Sequence, residues 1–398
     1  MFKRLFSLPL ESHDSLFIFG PRGTGKTQWL KSHLAKIENI YIDLLDSLTY
    51  RQLKGNPEKL RELIEPGFKG WVVIDEVQKV PELLDEVHRL IEHEHIRFIL
   101  TGSSARTLKR KGVNLLAGRA LRYNMHPLVI QELKTAFNLE HALTLGMLPA
   151  SYTYDNPSAY LATYVDTYLR EEVMQEGLTR NISAFARFLE VASFSQGSHV
   201  NFTEIAREVS MDRQVIQNYF SILNDLLLSF SLPVFTKRAK RRLITSEKFY
   251  FFDAGVYHSL RPKGFLDTPS EIAGAALETL FYQSILAIID YDHLACEMYY
   301  WRTASGVEVD FVAYGEQALM AFEIKHSKNI TPKMLRGLRS FKQDYPMTKL
   351  YVFYLGKEKL HLQDGITVLP FVDGLKELPS ILEAFKGKNV LPKGLSGL

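Results

Sequence analysis

The fold of this chain is decided by Gly20-Pro21-Arg22-Gly23-Thr24-Gly25-Lys26-Thr27, which follows an apolar run at 16–19 and precedes a helical pattern at 28–34. The glycines let successive backbone N–H groups point at one spot, and the helix N-terminus adds its dipole there. We expect Lys26 to reach the β- and γ-phosphates of a nucleotide and the Thr27 hydroxyl to bind Mg²⁺. The eight residues therefore predict a P-loop that binds ATP and Mg²⁺, rather than a glycine-rich turn.

Composition narrows the remaining choices. The chain has 398 residues, of which 46% are hydrophobic and 23% charged, as in ordinary globular proteins of several domains. Its net charge is only +3, so a surface for nucleic acid would have to be a local basic patch. The single cysteine, Cys296, excludes an internal disulfide and a cysteine zinc site. We expect a cytoplasmic protein, with no apolar run long enough to span a membrane.

Two acidic residues close a buried strand at 71–76. A strand is also expected at 39–44, and parallel strands carry their chemistry at their C-terminal ends. There Asp75 would hold Mg²⁺ through water, and Glu76 would polarise the water that attacks the γ-phosphate. The alternative is a solvated acidic turn. A kinase of small molecules needs no activated water, so Glu76 favours hydrolysis over phosphoryl transfer.

A further strand at 97–101 leads into Gly102-Ser103-Ser104. Thr101 or Ser103 could sense the γ-phosphate, and we assign Ser103 to the nucleotide site, although both hydroxyls could simply satisfy a turn. Four arginines follow, at positions 106, 110, 119 and 122. We favour Arg119 as an arginine finger offered to a neighbouring subunit, which would require a homo-oligomer. A surface arginine is the alternative.

Four motifs in this order carry a family resemblance: GPRGTGKT (20–27), VVIDEVQ (72–78), FILTGSS (98–104) and LLAGRALRYNMHPL (115–128). They resemble prokaryotic AAA-type ATPases that are fused to a C-terminal domain of unknown function, and the resemblance extends to about Phe371. It implies a five-stranded AAA+ core with Lys26, Thr27, Asp75 and Glu76 in the roles above. Residues 128–132 and 146–149 depart from the family pattern, so the resemblance predicts nucleotide binding but not the contacts of the lid.

The middle of the chain reads as helices followed by a winged helix. An aromatic stripe predicts a helix at 157–177, and a further helix runs to about 194. Short helices at 203–209 and 213–228, joined by a tight turn, match helix-turn-helix geometry. Strands are expected at 232–235 and 248–252. The side chains expected to be exposed for reading base edges are Arg213, Gln214, Gln217 and Asn218.

A basic loop, Lys237–Arg242, lies between those two strands and has five positive charges in six residues. Such a wing could contact DNA phosphates and would make binding depend on salt. The alternative is a packing module whose basic loop is solvated or faces a protein partner.

The C-terminal part reads as helix, three strands, helix and strand. The first helix starts at Thr268-Pro269 and contains Glu278, and the strands are expected at 298–301, 307–314 and 319–325. Alternation places Val307, Val309 and Phe311 on one face of the second strand and Glu308 and Asp310 on the other. In the third strand, Glu323 and Lys325 share the face opposite the core. A helix at 331–345 and a strand at 350–355 close this part.

This order, with Asp310 and then Glu323-x-Lys325, resembles the PD-(D/E)xK nuclease superfamily. The resemblance implies that Asp310 and Glu323 bind Mg²⁺, with Glu278 assisting. Lys325 would orient or deprotonate the attacking water and offset charge on the scissile phosphate. The alternative is a pleated sheet whose Glu-x-Lys is an ion pair on a solvated face, and many domains of this shape have lost cleavage.

Together these features predict an α/β protein of several domains. We expect a P-loop AAA+-like ATPase at 1–125, a helical lid or linker at 126–180, a winged helix at 181–262, a nuclease-like domain at 263–380 and a tail at 381–398. Two functions are carried forward. One is a DNA-associated ATPase with metal-dependent DNA cleavage, and the other is an ATP-driven switch whose C-terminal domains only bind partners or DNA.

Overall fold

The structure is a computed structural model that describes residues 2–103, 120–169, 182–237, 243, 246–262, 264 and 268–387. Two compact units are formed. Of the described residues, the N-terminal unit contains those in Phe6–His126 and Asp225–Leu228, and the C-terminal unit contains those in 2–5, Pro127–Asn224 and 229–387.

A five-stranded parallel sheet forms the centre of the N-terminal unit, in the order β2-β3-β4-β1-β5. Its strands are β1 Ser15–Phe19, β2 Asn39–Asp43, β3 Trp71–Asp75, β4 Arg97–Gly102 and β5 Ala120–Asn124. Every residue of β1 and β3 is buried, as expected for strands covered on both faces. Residue patterns predicted four of these strands, and the fifth followed only from the family resemblance.

Three α-helices connect these strands in the described part of the N-terminal unit. They are α1 Lys26–Leu34, α2 Ser47–Gly55 and α3 Leu83–Glu94. Short 3₁₀ helices lie at Pro57–Leu63 and Val77–Lys79. Helix α2 begins after Asp46, whose carboxylate accepts the Thr49 N–H at 2.8 Å and so satisfies a free donor of the first turn.

The C-terminal unit opens with short helices. These are α4 Ile130–Leu133, α5 Leu139–Thr144 and α6 Pro157–Thr163, with 3₁₀ turns at Lys134–Ala136 and Pro149–Tyr152. The helix predicted at 157–177 does not continue with α-helical spacing. From Tyr164 to Leu169 it is a π-helix, whose hydrogen bonds join residues five apart and widen the turn. Residues 170–181 lie outside the described part of the chain.

Three helices and a small antiparallel sheet follow. They are α7 Ile182–Ser193, α8 Phe202–Glu208 and α9 Arg213–Asp225, with β6 Ser198–His199, β7 Ser229–Leu232 and β8 Lys248–Phe251. Strand β8 is central and pairs with β6 and β7. Helix α9 ends three residues earlier than predicted, because Leu227 takes the left-handed conformation (φ 58°).

The strand predicted at 232–235 lies earlier in the chain, as β7. Beyond it, Phe235 donates its N–H to the carbonyl of Tyr300 at 2.7 Å, so this segment joins the edge of the C-terminal sheet instead. Within the basic loop, Lys237 is described and residues 238–242 are not. The Lys237 ammonium lies 4.4 Å from the centre of the Tyr314 ring and 3.8 Å from the Glu297 carboxylate.

A six-stranded mixed sheet, in the order β13-β14-β12-β11-β10-β9, forms the rest of the unit. Its strands are β9 Cys296–Arg302, β10 Glu308–Gly315, β11 Leu319–Lys325, β12 Lys349–Tyr354, β13 Leu360–His361 and β14 Ile366–Pro370. The helices are α10 Ala254–Leu260, α11 Pro269–Tyr291, α12 Arg336–Asp344 and α13 Phe371–Ile381, with 3₁₀ turns at Pro332–Leu335 and Leu382–Phe385. Helices α11 and α13 pack on one face and α12 on the other.

Two sequence expectations for this part are wrong. The strand predicted at 350–355 does not close it, because β13, β14 and α13 follow. The tail expected from residue 381 begins as a 3₁₀ helix whose Leu382 and Phe385 are buried in the core. The Phe385 carbonyl also accepts the N–H of Ala295 at 3.0 Å, which fixes this turn to the start of β9.

Strand β10 has a bulge that breaks the expected alternation. Val309 pairs with Trp301, whereas Val312 pairs with Tyr299, so β10 has one residue more than β9 over this interval. Val309 therefore packs in one core cluster and Phe311 in the other, rather than on a shared face.

Helix α11 is long and apolar enough to cross a membrane by length and composition, contrary to the expectation that no stretch would be. Its most apolar part is 67% buried inside this structure. Core helices of soluble proteins can be equally long and apolar, so one such helix is weak evidence for a membrane span.

Replacing Gly337 by Ala is expected to destabilise the C-terminal unit. A Cβ at this position of α12 would overlap the backbone carbonyl of Glu308, so helix and sheet would have to separate. Such overpacking costs about 1–3 kcal/mol. Urea unfolding should show a lower midpoint. Gly274→Ala is the matched control, because its Cβ would lie 4.0 Å from the nearest atom, and an equal loss in both variants would contradict this account.

Candidate functional site

The glycine loop is closely packed between β1 and α1. Gly23 and Gly25 have φ values of 85° and 94°, in the left-handed region that favours glycine. A Cβ on Gly20 would overlap the carbonyl of Met125, which follows β5. The loop therefore requires glycine for both its conformation and its close approach to the neighbouring backbone.

Lys26, the first residue of α1, is folded back into this loop. Its side chain is buried, and its ammonium donates to the carbonyls of Gly20 at 2.7 Å and Pro21 at 3.2 Å. The Thr24 hydroxyl also donates to Pro21, at 2.9 Å. A positive charge is thus held in a cradle of backbone groups, where an anion such as a phosphate would be attracted.

Asp75, at the end of β3, is fully buried and accepts hydrogen bonds from three hydroxyls. Thr27 and Tyr41 donate to one oxygen at 2.7 and 2.6 Å, and Thr101 donates to the other. Burial and the bond to Asp75 raise the pKa of the Tyr41 phenol above its ordinary value, so it remains a donor. These contacts fix the carboxylate beside the first turn of α1.

Glu76 has an unusual backbone conformation for a residue other than glycine, with φ 62° and ψ 46°. Its N–H donates to the Thr101 hydroxyl at 3.0 Å. The side-chain amide of Gln78 donates to the Glu76 carboxylate and, at 3.0 Å, to the Ser103 hydroxyl. Gln78 therefore links the predicted water-polarising residue to the predicted γ-phosphate sensor.

Gln78 and Tyr41 were not predicted as site residues. Gln78 falls within the VVIDEVQ motif, two residues after Glu76, and this position is the one signal that could have identified it. Tyr41 lies two residues before the end of β2, and its contact with Asp75 depends on the pairing of β2 with β3. Arg119 lies outside the described residues, so the arginine finger stays a prediction.

A second group of charges lies in the C-terminal unit, and we call it the acidic centre. It consists of Glu278 on α11, Glu308 and Asp310 on β10, Glu323 and Lys325 on β11, and Lys248 on β8. The Lys325 ammonium bonds to Glu323 and, at 3.3 Å, to Asp310. Asp310 also accepts the Ile324 N–H at 2.8 Å.

Strand β8 of the small sheet contributes two side chains to the acidic centre. Lys248 is 3% exposed and forms an ion pair with Glu308, which also pairs with Arg302 at 3.0 Å. The Tyr250 hydroxyl donates to Glu278 at 2.9 Å. Neither Lys248 nor Tyr250 was predicted as a site residue, because their partners Glu308 and Glu278 are distant from them in sequence.

Burial raises the pKa values of these carboxyls, and nearby charges then shift them in opposite directions. Burial, reinforced by the charge of Asp310, raises the pKa of Glu278 to about 7 and that of Glu323 well above its usual range. Burial would also raise the pKa of Asp310, but the charges of Lys325 and Lys248 outweigh it and lower that pKa. The charged form of Asp310 is therefore favoured beside Lys325, whereas burial disfavours the charged forms of Glu278 and Glu323, and the Lys325 ammonium opposes this effect at Glu323.

The acidic centre does not fit a divalent metal ion in this arrangement. Over the described ranges, no three His, Cys, Asp or Glu side chains are grouped so that they could hold a metal. The oxygens of Asp310 and Glu323 face the Lys325 ammonium, and Glu278 faces the Tyr250 hydroxyl. This arrangement gives no support to the metal-ligand roles given to Glu278, Asp310 and Glu323, which stay predictions.

Three family models match successive parts of the chain. An AAA domain matches residues 12–134, which contain the glycine loop, Asp75 and Glu76. Two domains of unknown function, DUF8612 and DUF4143, match residues 136–267 and 273–373. The resemblance to AAA-type ATPases with a C-terminal domain of unknown function is thereby confirmed at the level of these domains.

Similar curated proteins occur in bacteria and an archaeon, and all are uncharacterized. A protein of Mycobacterium tuberculosis is 25% identical over 332 residues, covering 79% of this chain and 73% of its own length. A Haemophilus influenzae protein is 22% identical and covers 90% of this chain and 93% of its own length. A Methanocaldococcus jannaschii protein is 23% identical and covers 89% and 86%.

Two solved structures show only distant likeness. The Aeropyrum pernix ORC1 protein, solved in complex with DNA, has a TM-score of 0.23 at 13% identity, covering 62% of this chain and 86% of its own. A Vibrio cholerae protein has a TM-score of 0.26 at 12% identity, covering 94% and 99%. At these TM-scores neither likeness supports an argument about this chain.

From the roles expected for Glu76 and Ser103, Gln78→Ala is predicted to slow nucleotide hydrolysis without preventing nucleotide binding. The change removes the two hydrogen bonds that hold Glu76 and Ser103, so the attacking water would be poorly oriented. Misplaced catalytic groups typically cost on the order of 10- to 100-fold in rate. Phosphate release and nucleotide affinity should be measured side by side. Gln52→Ala on α2, at an exposed position, is the control, and equal rates in both variants would contradict the role of Gln78.

Proposed function

We propose that this protein is an ATPase, which binds ATP with Mg²⁺ in the N-terminal unit and hydrolyses it. The observation that carries the proposal is the 2.7 Å hydrogen bond between Thr27 and Asp75. It joins the start of α1, directly after the glycine loop, to the end of β3. Ligand sites of parallel α/β sheets lie at these carboxyl ends, and the match to an AAA domain supports the same location.

The chain supplies each group that the reaction needs. Lys26 would exchange its bonds to the loop carbonyls for bonds to phosphate oxygens. Thr27 and Asp75 offer hard oxygen atoms and would hold Mg²⁺, which when bound supplies positive charge beside the phosphates. Glu76 would orient the attacking water and accept its proton, while Gln78 holds the Glu76 carboxylate in place.

In the C-terminal unit, we favour binding over DNA cleavage. The sequence allowed either a metal-dependent nuclease of the PD-(D/E)xK kind or a domain that only binds. The ion pairs of Asp310 and Glu323 with Lys325, and of Glu308 with Lys248, support the second, because these carboxylates already have cationic partners. ATP would then drive a regulatory or interaction role.

DNA is the partner we propose for α8 and α9. The two helices are joined by a short turn, as in a winged helix, and α9 presents Arg213, Gln214 and Asn218 to solvent. Gln217 of the predicted set is half-buried. The basic loop that begins at Lys237 would add phosphate contacts and salt dependence.

Two substitutions test the ATPase. Lys26→Ala should abolish both ATP binding and turnover, because it removes the positive charge of the loop. Glu76→Gln should keep binding but slow hydrolysis by about 10²- to 10⁴-fold. Phosphate release and fluorescent ATP titration measure the two effects. Full turnover by Lys26→Ala would show that this loop is not the site of ATP hydrolysis. Phosphate transfer that requires an added acceptor would favour a small-molecule kinase.

A triple substitution tests the DNA contact. Replacing Arg213, Gln214 and Asn218 by Ala should weaken binding of duplex DNA without changing ATP turnover. Loss of one base contact typically costs about 1–3 kcal/mol. Fluorescence anisotropy at several salt concentrations measures the effect. As a control, exposed Arg336, Arg339 and Lys333, near or in α12, can be changed to Ala, and equal weakening would point to nonspecific charge.

A further inference from the structure

Lys248 carries a charge whose burial requires an explanation. It lies on β8, the central strand of the small sheet, and its side chain is 3% exposed. An ammonium group is costly to bury unless carboxylates surround it. Lys248 meets this need through its ion pair with Glu308 and through the attraction of Glu278 and Asp310.

The same face of β8 carries a second contact with the acidic centre. Side chains two residues apart on a strand point the same way, and Tyr250 donates to Glu278 while Lys248 reaches Glu308. The opposite face of β8 packs Phe249 against Phe220 of α9, with ring centres 4.9 Å apart. Strand β8 therefore connects the helix-turn-helix segment to the acidic centre directly.

A buried glutamine strengthens this connection. The Gln196 side chain accepts the N–H of Phe251 at 2.9 Å and donates to the Thr279 hydroxyl at 2.6 Å. Thr279 is the neighbour of Glu278 on α11. The position of β8 against α11 is thus held at both Tyr250 and Phe251.

We propose that Lys248 is a built-in cation that closes the acidic centre to a divalent metal ion. Its ammonium pairs with Glu308, while Lys325 pairs with Asp310 and Glu323, so these carboxylates are balanced from within the chain. Without the Lys248 charge the centre would keep its four carboxyl groups but lose one ammonium, and it would then attract a divalent cation.

Lys248→Met tests this proposal, since methionine keeps much of the length and removes the charge. Mn²⁺ binding to the full-length, nucleotide-free protein can be followed by electron paramagnetic resonance. The wild type should show no Mn²⁺ binding that depends on Asp310. Lys248→Met should gain such a site, with a Mn²⁺ affinity at least about tenfold above any binding by the wild type. The double variant with Asp310→Asn should lose this site. Lys349→Met, at an exposed position of β12, is the control and should behave as the wild type.

Thermal unfolding with and without Mn²⁺ provides a second test, for the case that Lys248→Met folds poorly. Mn²⁺ should raise the thermal unfolding temperature of a variant that binds it and leave the wild type unchanged. An Asp310-dependent Mn²⁺ site in the wild type, as tight as in Lys248→Met, would overturn the proposal. So would a folded Lys248→Met variant that gains no such site.

Discussion

The buried carboxylate of Asp75 is the point on which the N-terminal unit depends. It receives hydroxyl groups from α1, β2 and β4, so one side chain fixes three separate elements around the end of β3. A buried carboxylate without such donors would be strongly destabilising. Because the glycine loop leads directly into α1, the same bonds also set the position of Lys26. Stability and ligand geometry therefore rest on one set of contacts.

The C-terminal unit meets a similar requirement by different means. Its carboxylates are matched by lysines from two strands, β8 and β11, rather than by hydroxyl groups. Hydroxyl donors carry no charge that would balance a carboxylate, whereas an ammonium supplies the opposite charge. The two units thus surround buried acids in different ways: Asp75 has hydroxyl partners, and the acids of the C-terminal unit have lysine partners.

What the sequence could reveal depended on how local the determining contacts are. The glycine loop and the Asp75-Glu76 pair are contiguous, and their residue types dictate backbone shape and chemistry directly. Glu323 and Lys325 are two residues apart, so strand alternation was enough to bring them together. The contacts of Lys248 with Glu308 and of Tyr250 with Glu278 join distant positions and arise only after folding. The bulge in β10 and the π-helix after Thr163 interrupt regular periods, which pattern reasoning assumes to be unbroken.

The edge of the C-terminal sheet is covered by the chain itself. The Tyr300 N–H on β9 donates to the Pro233 carbonyl at 3.0 Å, and its carbonyl accepts from Phe235, so part of this outer strand is already paired. At the other edge, β13 has only two residues. Unpaired edge strands invite association between chains, and both features reduce that hazard. A fragment that begins at residue 268 would uncover β9, and its tendency to aggregate would then reflect a lost cover rather than a defective core.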